Sequence, residues 1–482
     1  MKGDKPVLFV ASECAPLVKT GGLADVVGAL PLALAGQGWD VRVLLPAYPG
    51  LAGKLDRAKK VGDFEALFGG SATVISGMVA GLNMLLLDAP HLYERPGSIY
   101  LGKDGKDWPD NPQRFAALSF AAAEIARGEL TDGWLPGLLH LHDWQAGLAA
   151  AYLADDPQRP AIITTIHNIA FQGLAPAFML GELNLSGSMY STAGLEYYGQ
   201  ISALKAALVY ANLITTVSPT YAQEIMTPEF GMGLQGVISD RKVLLHGILN
   251  GIDTEQWNPE TDPALPMNYS AKDTQGKATC KASLEVEFGL KPSQNDMLFG
   301  VVSRLTEQKG LDLLPLAIVE ALKKGGRLVV LGSGDAALEK ALKKLAVDYP
   351  DQVAVRIGYD ENLSHRINGG CDAVLVPSRF EPCGLTQLYG LRYGALPIVS
   401  RTGGLADSVI DANPAALAKG VANGFQFQPT SVSGLESALL RAVSLFPDQV
   451  TWRKLMKNAM THPVGWKPSA DRYISLYRQV LA

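Results

Sequence analysis

Cysteine is scarce in this 482-residue sequence, and the four present (Cys14, Cys280, Cys371 and Cys383) lie far apart with no CxxC pair. Such spacing speaks against a disulfide frame or a zinc site and favours free thiols in a reducing compartment. An excess of positive charge is also missing. The 42 Lys+Arg against 47 Asp+Glu leave a net charge of −5, which argues against nucleic acid or an anionic membrane as a partner. No uninterrupted apolar stretch is long enough to span a bilayer, and the apolar run in MKGDKPVLFVASE is too short for a signal-peptide core. Low-complexity segments and short-period repeats are absent as well. The expectation is a cytoplasmic globular protein; nothing in the residues speaks to its oligomeric state.

What the chain does have is apolar residues, 48% of the total, over a length that calls for two or three domains. Short β-branched and leucine-rich runs alternate with helix-like segments from end to end. In the first half the runs fall at 6–12, 41–45, 83–88, 138–142, 161–167, 213–218 and 243–250. In the second they fall at 297–303, 327–332, 352–358, 373–377 and 396–400. Nearly continuous apolar runs are what parallel strands buried on both faces look like. Helices are expected between them at 112–127, 144–153, 311–324 and 336–345. Strict alternation means α/β, with strands enough for two sheets. Residues 250–268, rich in Pro, Asn and Asp and without apolar periodicity, mark the seam. The last segment, 466–482, reads as a helix with Tyr473, Leu476, Tyr477 and Val480 on one face.

One string occurs twice: KTGGLADVV at 19–27 and RTGGLADSV at 401–409. Each follows a strand and precedes a helix, where glycine allows close approach to backbone N–H groups and the helix start favours an anion. Lys19 with Gly21 and Gly22 therefore suits a phosphate, the plain alternative being a tight turn with a solvated lysine. In SRLTEQKG (303–310), Arg304 and Lys309 leave the carboxyl edge of a strand, where α/β sheets bind ligands, and two such cations suit a diphosphate. VVLGSGDAAL fits G-x-G-x-x-A through Gly332, Gly334 and Ala337, a weak dinucleotide fingerprint that better suits a glycine turn touching a nucleotide's phosphate or ribose. LLHLHDW and TTIHN place His140, His142, Asp143 and His167 at neighbouring strand ends. No spaced further ligand completes a metal site, so a polar cluster lining a sugar-sized pocket is expected. SRFEPCGLTQLYGLRYG (378–394) carries Glu381 at a strand end beside a helix start near Leu385, while Cys383 lacks the partners of a nucleophile.

Taken together, KTGGLADVVGALP, HDWQAGL, TIHNIAFQG, SRLTEQKG and SRFEPCGLTQLYGLRYG resemble the bacterial, ADP-glucose-using branch of the starch/glycogen synthase glycosyltransferase family, in matching order over essentially the whole chain. The resemblance implies two Rossmann-like domains facing a deep cleft, the B-type glycosyltransferase fold, that closes on its substrates. Residues 1–252 would form the acceptor domain and 253–465 the nucleotide-sugar domain, with helix 466–482 returning to the first. It implies transfer of glucose from ADP-glucose to the non-reducing end of an α-1,4-glucan with retention, without metal or other cofactor. Lys19 and Gly22 would meet the diphosphate-sugar region, and Arg304 and Lys309 the distal phosphate. Glu381 and the backbone at Cys383 and Gly384 would hold the transferred glucose, with Thr386 on a phosphate and Tyr359 stacked on adenine. His167 would contact the glucose and Asp143 the reacting centre or acceptor. One departure stands out: many retaining relatives carry a second glutamate eight positions after the first, where this chain has Tyr389. No role follows for Arg401. The rival readings are a UDP-sugar transferase, epimerase or phosphorylase on the same plan, and a non-catalytic glucan- or nucleotide-binding protein.

Overall fold

The computed structural model describes residues 6–130 and 133–482. The chain divides into two compact units, one of residues 1–217, 222–248 and 466–482, the other of 218–221 and 249–465. Each is built on a mainly parallel sheet with helices on both faces.

In the first unit seven parallel strands run in the spatial order Leu245–Gly247, Leu213–Thr216, Ala161–Ile166, Leu138–His142, Val7–Val10, Val41–Pro46 and Leu82–Asp88. The chain starts in the middle, winds outward one way, then returns to wind the other way. The order therefore reverses between Val7–Val10 and Leu138–His142, and the loops leaving these two strands flank the switch point where α/β sheets bind ligands. An antiparallel hairpin, Asp56–Leu67 with Gly70–Val79, extends the edge. Sequence periodicity misses it, because its outer strand is largely solvated and reads DRAKKVGDFEAL, with register shifts along the pair. A small second sheet, Leu174–Pro176, Gln200–Ser202 and Glu196–Tyr197, also escapes, its strands being too short to show a period.

The second unit holds six parallel strands in the order Val353–Ile357, Gly326–Gly332, Met297–Val302, Ala373–Val376, Leu396–Ser400 and Phe425–Phe427. This is the doubly wound 3-2-1-4-5-6 order, reversing between Met297–Val302 and Ala373–Val376.

The helix expected at 144–153 is a 3-10 turn, Trp144–Ala146, followed by Leu148–Tyr152. Gly147 sits between them because a Cβ there would come 2.2 Å from the Ala203 carbonyl. The segment expected at 311–324 is two short helices, Leu314–Ala317 and Val319–Lys323. Residues 250–268 are no loose linker. Ile252 donates its N–H to Val464 O, and Trp257 is stacked by His365 and Tyr389 at centroid distances of 3.8 and 3.7 Å. Tyr389 is thus engaged in packing. The last helix, Trp466–Leu481, buries Tyr473, Leu476 and Tyr477 in the core of the first unit. No helix among the described residues is long and apolar enough to cross a membrane.

Candidate functional site

Chemistry-bearing residues gather at the switch point of each sheet. In the second unit the strand Met297–Val302 feeds the loop carrying Arg304 and Lys309, and Ala373–Val376 feeds the loop carrying Glu381 and Cys383. The two loops are locked together. Gly310, at φ +66°, lies so close to the neighbouring strand end that a Cβ would come 1.9 Å from Pro377 O. Arg379 grips Asp312 with both arms of its guanidinium, at 2.6 and 2.7 Å, and also donates to Glu307 O at 2.6 Å. This planar two-bond geometry holds the loops in register.

Lys309 Nζ donates to Glu381 Oε2 at 2.5 Å, and Ser378 Oγ donates to the same oxygen at 2.9 Å. Both charges are largely withdrawn from water. With Thr386 they line a small pocket that also includes Ser303, Gly384 and Gln387. Arg304 is exposed, and its guanidinium has no partner among the described residues. Thr386 opens the helix Thr386–Tyr393, and Gly384 (φ +74°) makes the turn into it. Burial pushes the Cys383 thiol up to about 12, which disfavours the thiolate a nucleophile would need. Tyr359 is 74% exposed after the strand Val353–Ile357, two strands from the Arg304 loop, or roughly 10 Å.

The expected glycine turn after Gly326–Gly332 does a different job. A Cβ on Gly332 would strike Ser303 O at 2.1 Å, and one on Gly334 would strike Leu305 O at 2.3 Å. These glycines let the Arg304 loop lie against the next strand. The following helix takes its N-cap from its own Asp335. The fingerprint's glycines are required by loop packing.

In the first unit the loop after Val7–Val10 is organised by Glu13, a residue the motif reading passed over. Its buried carboxylate accepts from Thr20 N at 2.5 Å, Thr20 Oγ1 at 2.6 Å, Gly21 N at 3.1 Å and the Tyr100 hydroxyl at 2.6 Å. The signal for it was present: a carboxylate three residues beyond the end of the first parallel strand. Lys19 pairs with Asp25 at 2.7 Å and stays half-exposed, and Gly22 begins the helix Gly22–Ala35 with open space where a Cβ would stand. Replacing Glu13 by Gln substitutes an NH2 donor for one of the two acceptor oxygens, so the side chain no longer accepts all four hydrogen bonds. We expect Glu13→Gln to lower Tm by several degrees, measured by thermal unfolding.

Asp143 follows Leu138–His142 in a backbone conformation rare for a non-glycine residue, φ +55° and ψ −167°. Strain of this kind persists where surroundings over-determine it and clusters at working sites. Its Oδ1 accepts the His167 N–H at 2.6 Å, and burial pushes its carboxyl up to about 7. The folded chain then retains a proton that the unfolded chain releases near 3.8, so this group's contribution to stability falls as pH rises from about 4 to 7. Asp143→Asn removes the titration. Its Tm should match the parent's near pH 4 and exceed it by several degrees at pH 8, read by calorimetry across that range.

The histidine cluster divides. His140 is wholly buried, its Nδ1 against the Tyr477 hydroxyl at 2.7 Å and its Nε2 against Thr165 Oγ1 at 2.6 Å, so it ties the last helix to the sheet and lines no pocket. His142 is also buried, its Nδ1 3.0 Å from His167 Nε2. Burial holds all three imidazoles neutral. Only His167 retains exposure. No group of three or more metal-ligating side chains is found among the described residues.

The second TGGLAD string also changes meaning. Gly403 (φ +42°) and Gly404 abut the Glu381 loop, where a Cβ would come 2.0 Å from Glu381 O or 2.2 Å from Cys383 O respectively. Gly404 N–H donates to Glu381 O and Pro382 O. One copy exposes its backbone, and the other buttresses a neighbouring loop.

Comparison with known proteins meets this geometry from another side. The family profile described as starch synthase catalytic domain matches residues 6–240, and that described as glycosyl transferases group 1 matches residues 285–457. The chain is 54% identical over 476 residues to a glycogen synthase of Roseobacter denitrificans, covering 98% of this chain and 99% of the relative. It is 56% identical over 478 residues to one from Cereibacter sphaeroides, covering 99% and 98%. Among solved structures, the catalytic domain of starch synthase IV from Arabidopsis thaliana, bound to ADP and acarbose, aligns with a TM-score of 0.88 at 34% identity over 99% of both chains. A sucrose-phosphate synthase from Thermosynechococcus elongatus shares the fold at a TM-score of 0.60 and 17% identity.

Proposed function

Because the chain belongs to the glycogen synthase branch of the starch synthase glycosyltransferase family, we propose that it moves glucose from ADP-glucose to the non-reducing 4-hydroxyl of an α-1,4-glucan, retaining configuration. The observation that carries this is the pocket at the second unit's switch point, lined by Lys309 on Glu381, with Arg304 on the same loop as Lys309.

Departure of ADP builds negative charge on the β-phosphate and positive charge on the sugar ring. Fixed cations stabilise the phosphate more as the bond lengthens, which lowers the barrier rather than merely tightening binding. Arg304 and Lys309 take this role, Lys309 exchanging its Glu381 partner for phosphate oxygens. Thr386 and the start of its helix hold another phosphate oxygen. Glu381, freed of the lysine and steadied by Ser378, accepts hydrogen bonds from glucose hydroxyls, with backbone at Cys383 and Gly384 beside it. Tyr359, exposed at the outer side of the sheet, covers the adenine. From the first unit, Lys19 and the open backbone at Gly22 serve the diphosphate-sugar, His167 the glucose, and Asp143 the acceptor side. No pair of carboxylates stands out in the sequence as nucleophile and acid/base, so the departing phosphate itself assists the incoming hydroxyl. We propose neither metal nor cofactor, and a cytoplasmic setting.

Supplying labelled ADP-glucose or UDP-glucose with glycogen, and measuring both the nucleoside diphosphate released and the label entering polymer, tests this reading. Label from ADP-glucose is the expected result. An epimerised sugar nucleotide with unlabelled glycogen would establish the rival instead, and preference for UDP-glucose would overturn the donor.

A further inference from the structure

The helix Thr386–Tyr393 begins in an unusual way. The first N–H groups of a helix lack partners inside it, and a side-chain oxygen commonly caps them. Here the N-cap residue is Leu385, which supplies no side-chain hydrogen bond. Gln387, the second residue of the helix, carries an oxygen able to cap, yet the amide is turned the other way. Its Nε2 donates to Cys383 O at 2.9 Å and to Gly384 O at 3.0 Å, with Ser408 Oγ farther off at 3.3 Å. Its Oε1 is buried with no hydrogen-bond partner among the described residues. The side chain is fully withdrawn from water, so leaving that acceptor unsatisfied carries a cost.

What the amide secures is the orientation of two peptide units. In a planar trans peptide the carbonyl and the N–H point in opposite directions. With the carbonyls of Cys383 and Gly384 held by Gln387, the N–H groups of Gly384 and Leu385 point away from it. Neither N–H meets an acceptor among the described residues. Both residues line the pocket that contains Lys309 and Glu381. The packing is tight: a Cβ on Gly384 would come 2.5 Å from Gln387 Oε1. Ser408, the third neighbour of the amide, donates to Gly404 O at 2.6 Å and so joins this arrangement to the loop that supports Glu381.

We propose that Gln387 is a positioning residue for the sugar nucleotide: it fixes the peptide units on either side of Gly384 so that two N–H groups stay free for an anion. N–H groups fixed in advance need no rearrangement as charge develops, whereas a carbonyl turned into the pocket would repel a phosphate. The unsatisfied Oε1 follows from the same demand, since the amide can hold both carbonyls only by facing its oxygen elsewhere. The proposal rests on the reading of this pocket as a nucleotide-sugar site and adds to it the group that aligns its backbone.

Gln387→Met keeps the length of the side chain and removes both of its N–H groups. Well below its Tm, this variant should bind ADP about tenfold more weakly by titration calorimetry, and its kcat/KM for ADP-glucose should fall on the order of 10²-fold. The half-saturating glycogen concentration should not change. A residue that only supported the fold would lower Tm and leave the ADP Kd of the folded protein at the parental value. Gln387→Glu supplies a second signature. Its carboxyl, buried against two carbonyl oxygens, donates one hydrogen bond when protonated and none when ionised. The ratio of its kcat/KM to that of Gln387→Met should therefore fall about tenfold as pH rises from about 6 to about 9. Lys309 and Glu381 are common to both variants and cancel in that ratio. Parental ADP affinity in Gln387→Met, or a ratio that stays flat with pH, overturns the positioning role and leaves the synthase reading intact. A parent that binds ADP but moves no glucose into glycogen sinks that reading, while weakened ADP binding by Gln387→Met would still uphold the role of Gln387.

Discussion

Replacing Lys309 by alanine should lower kcat/KM for the donor on the order of 10²-fold or more, because the charge removed is one whose attraction grows as the diphosphate leaves. The same change should also destabilise the chain. Glu381 is largely buried and its cation lies 2.5 Å away, so alanine leaves an uncompensated carboxylate in the pocket. The stability effect is isolated in a double variant, whose activity is low for want of both the phosphate cation and the glucose-holding carboxylate. Lys309→Ala with Glu381→Gln removes both charges, so Tm should return toward that of the parent while activity stays low. If restoring stability also restored turnover, Lys309 would be a structural ion-pair partner and no phosphate ligand. Arg304→Ala offers the complementary case: with no partner among the described residues to strand, it should cost activity without lowering Tm.

Much of this was legible in the residues alone, and the failures share a cause. Buried parallel strands are apolar on both faces, so their runs stand out, and the doubly wound order then puts Arg304, Lys309 and Glu381 at the carboxyl ends of the two strands flanking one switch point. The hairpin Asp56–Leu67 with Gly70–Val79 stays hidden because pairing, rather than burial, makes it a strand. The supporting shell hides for a related reason. Arg379 reads as a functional cation by type, yet Asp312 occupies both of its arms. His140 and His142 read as a shared polar face, which is correct, but helix Trp466–Leu481 covers the first of them through Tyr477. Glu13 carries no motif at all and still sets the conformation of the Lys19 loop. Which polar side chain meets a ligand and which meets protein depends on contacts distant in sequence, such as 13 with 100 and 140 with 477.

The repeated TGGLAD string makes this difference measurable. At Gly404 an added methyl would stand 2.2 Å from the Cys383 carbonyl oxygen and 2.5 Å from its Cα, both backbone atoms that cannot yield without moving the Glu381 loop. Gly404→Ala should therefore shift Glu381 and lower kcat/KM on the order of 10²-fold, with a fall in Tm. At Gly22 nothing lies within 4 Å of an added Cβ, and the residue opens a helix of fourteen. Gly22→Ala should fold as stably as the parent or slightly better, since alanine is the better helix former. Any loss of donor kcat/KM in that variant then reports a ligand approaching the bare backbone, and we expect roughly tenfold. Parental kinetics in Gly22→Ala would remove the first copy from the donor site. Parental kinetics in Gly404→Ala would show that the Glu381 loop tolerates displacement, and a site that tolerates displacement is not holding a sugar in place for reaction.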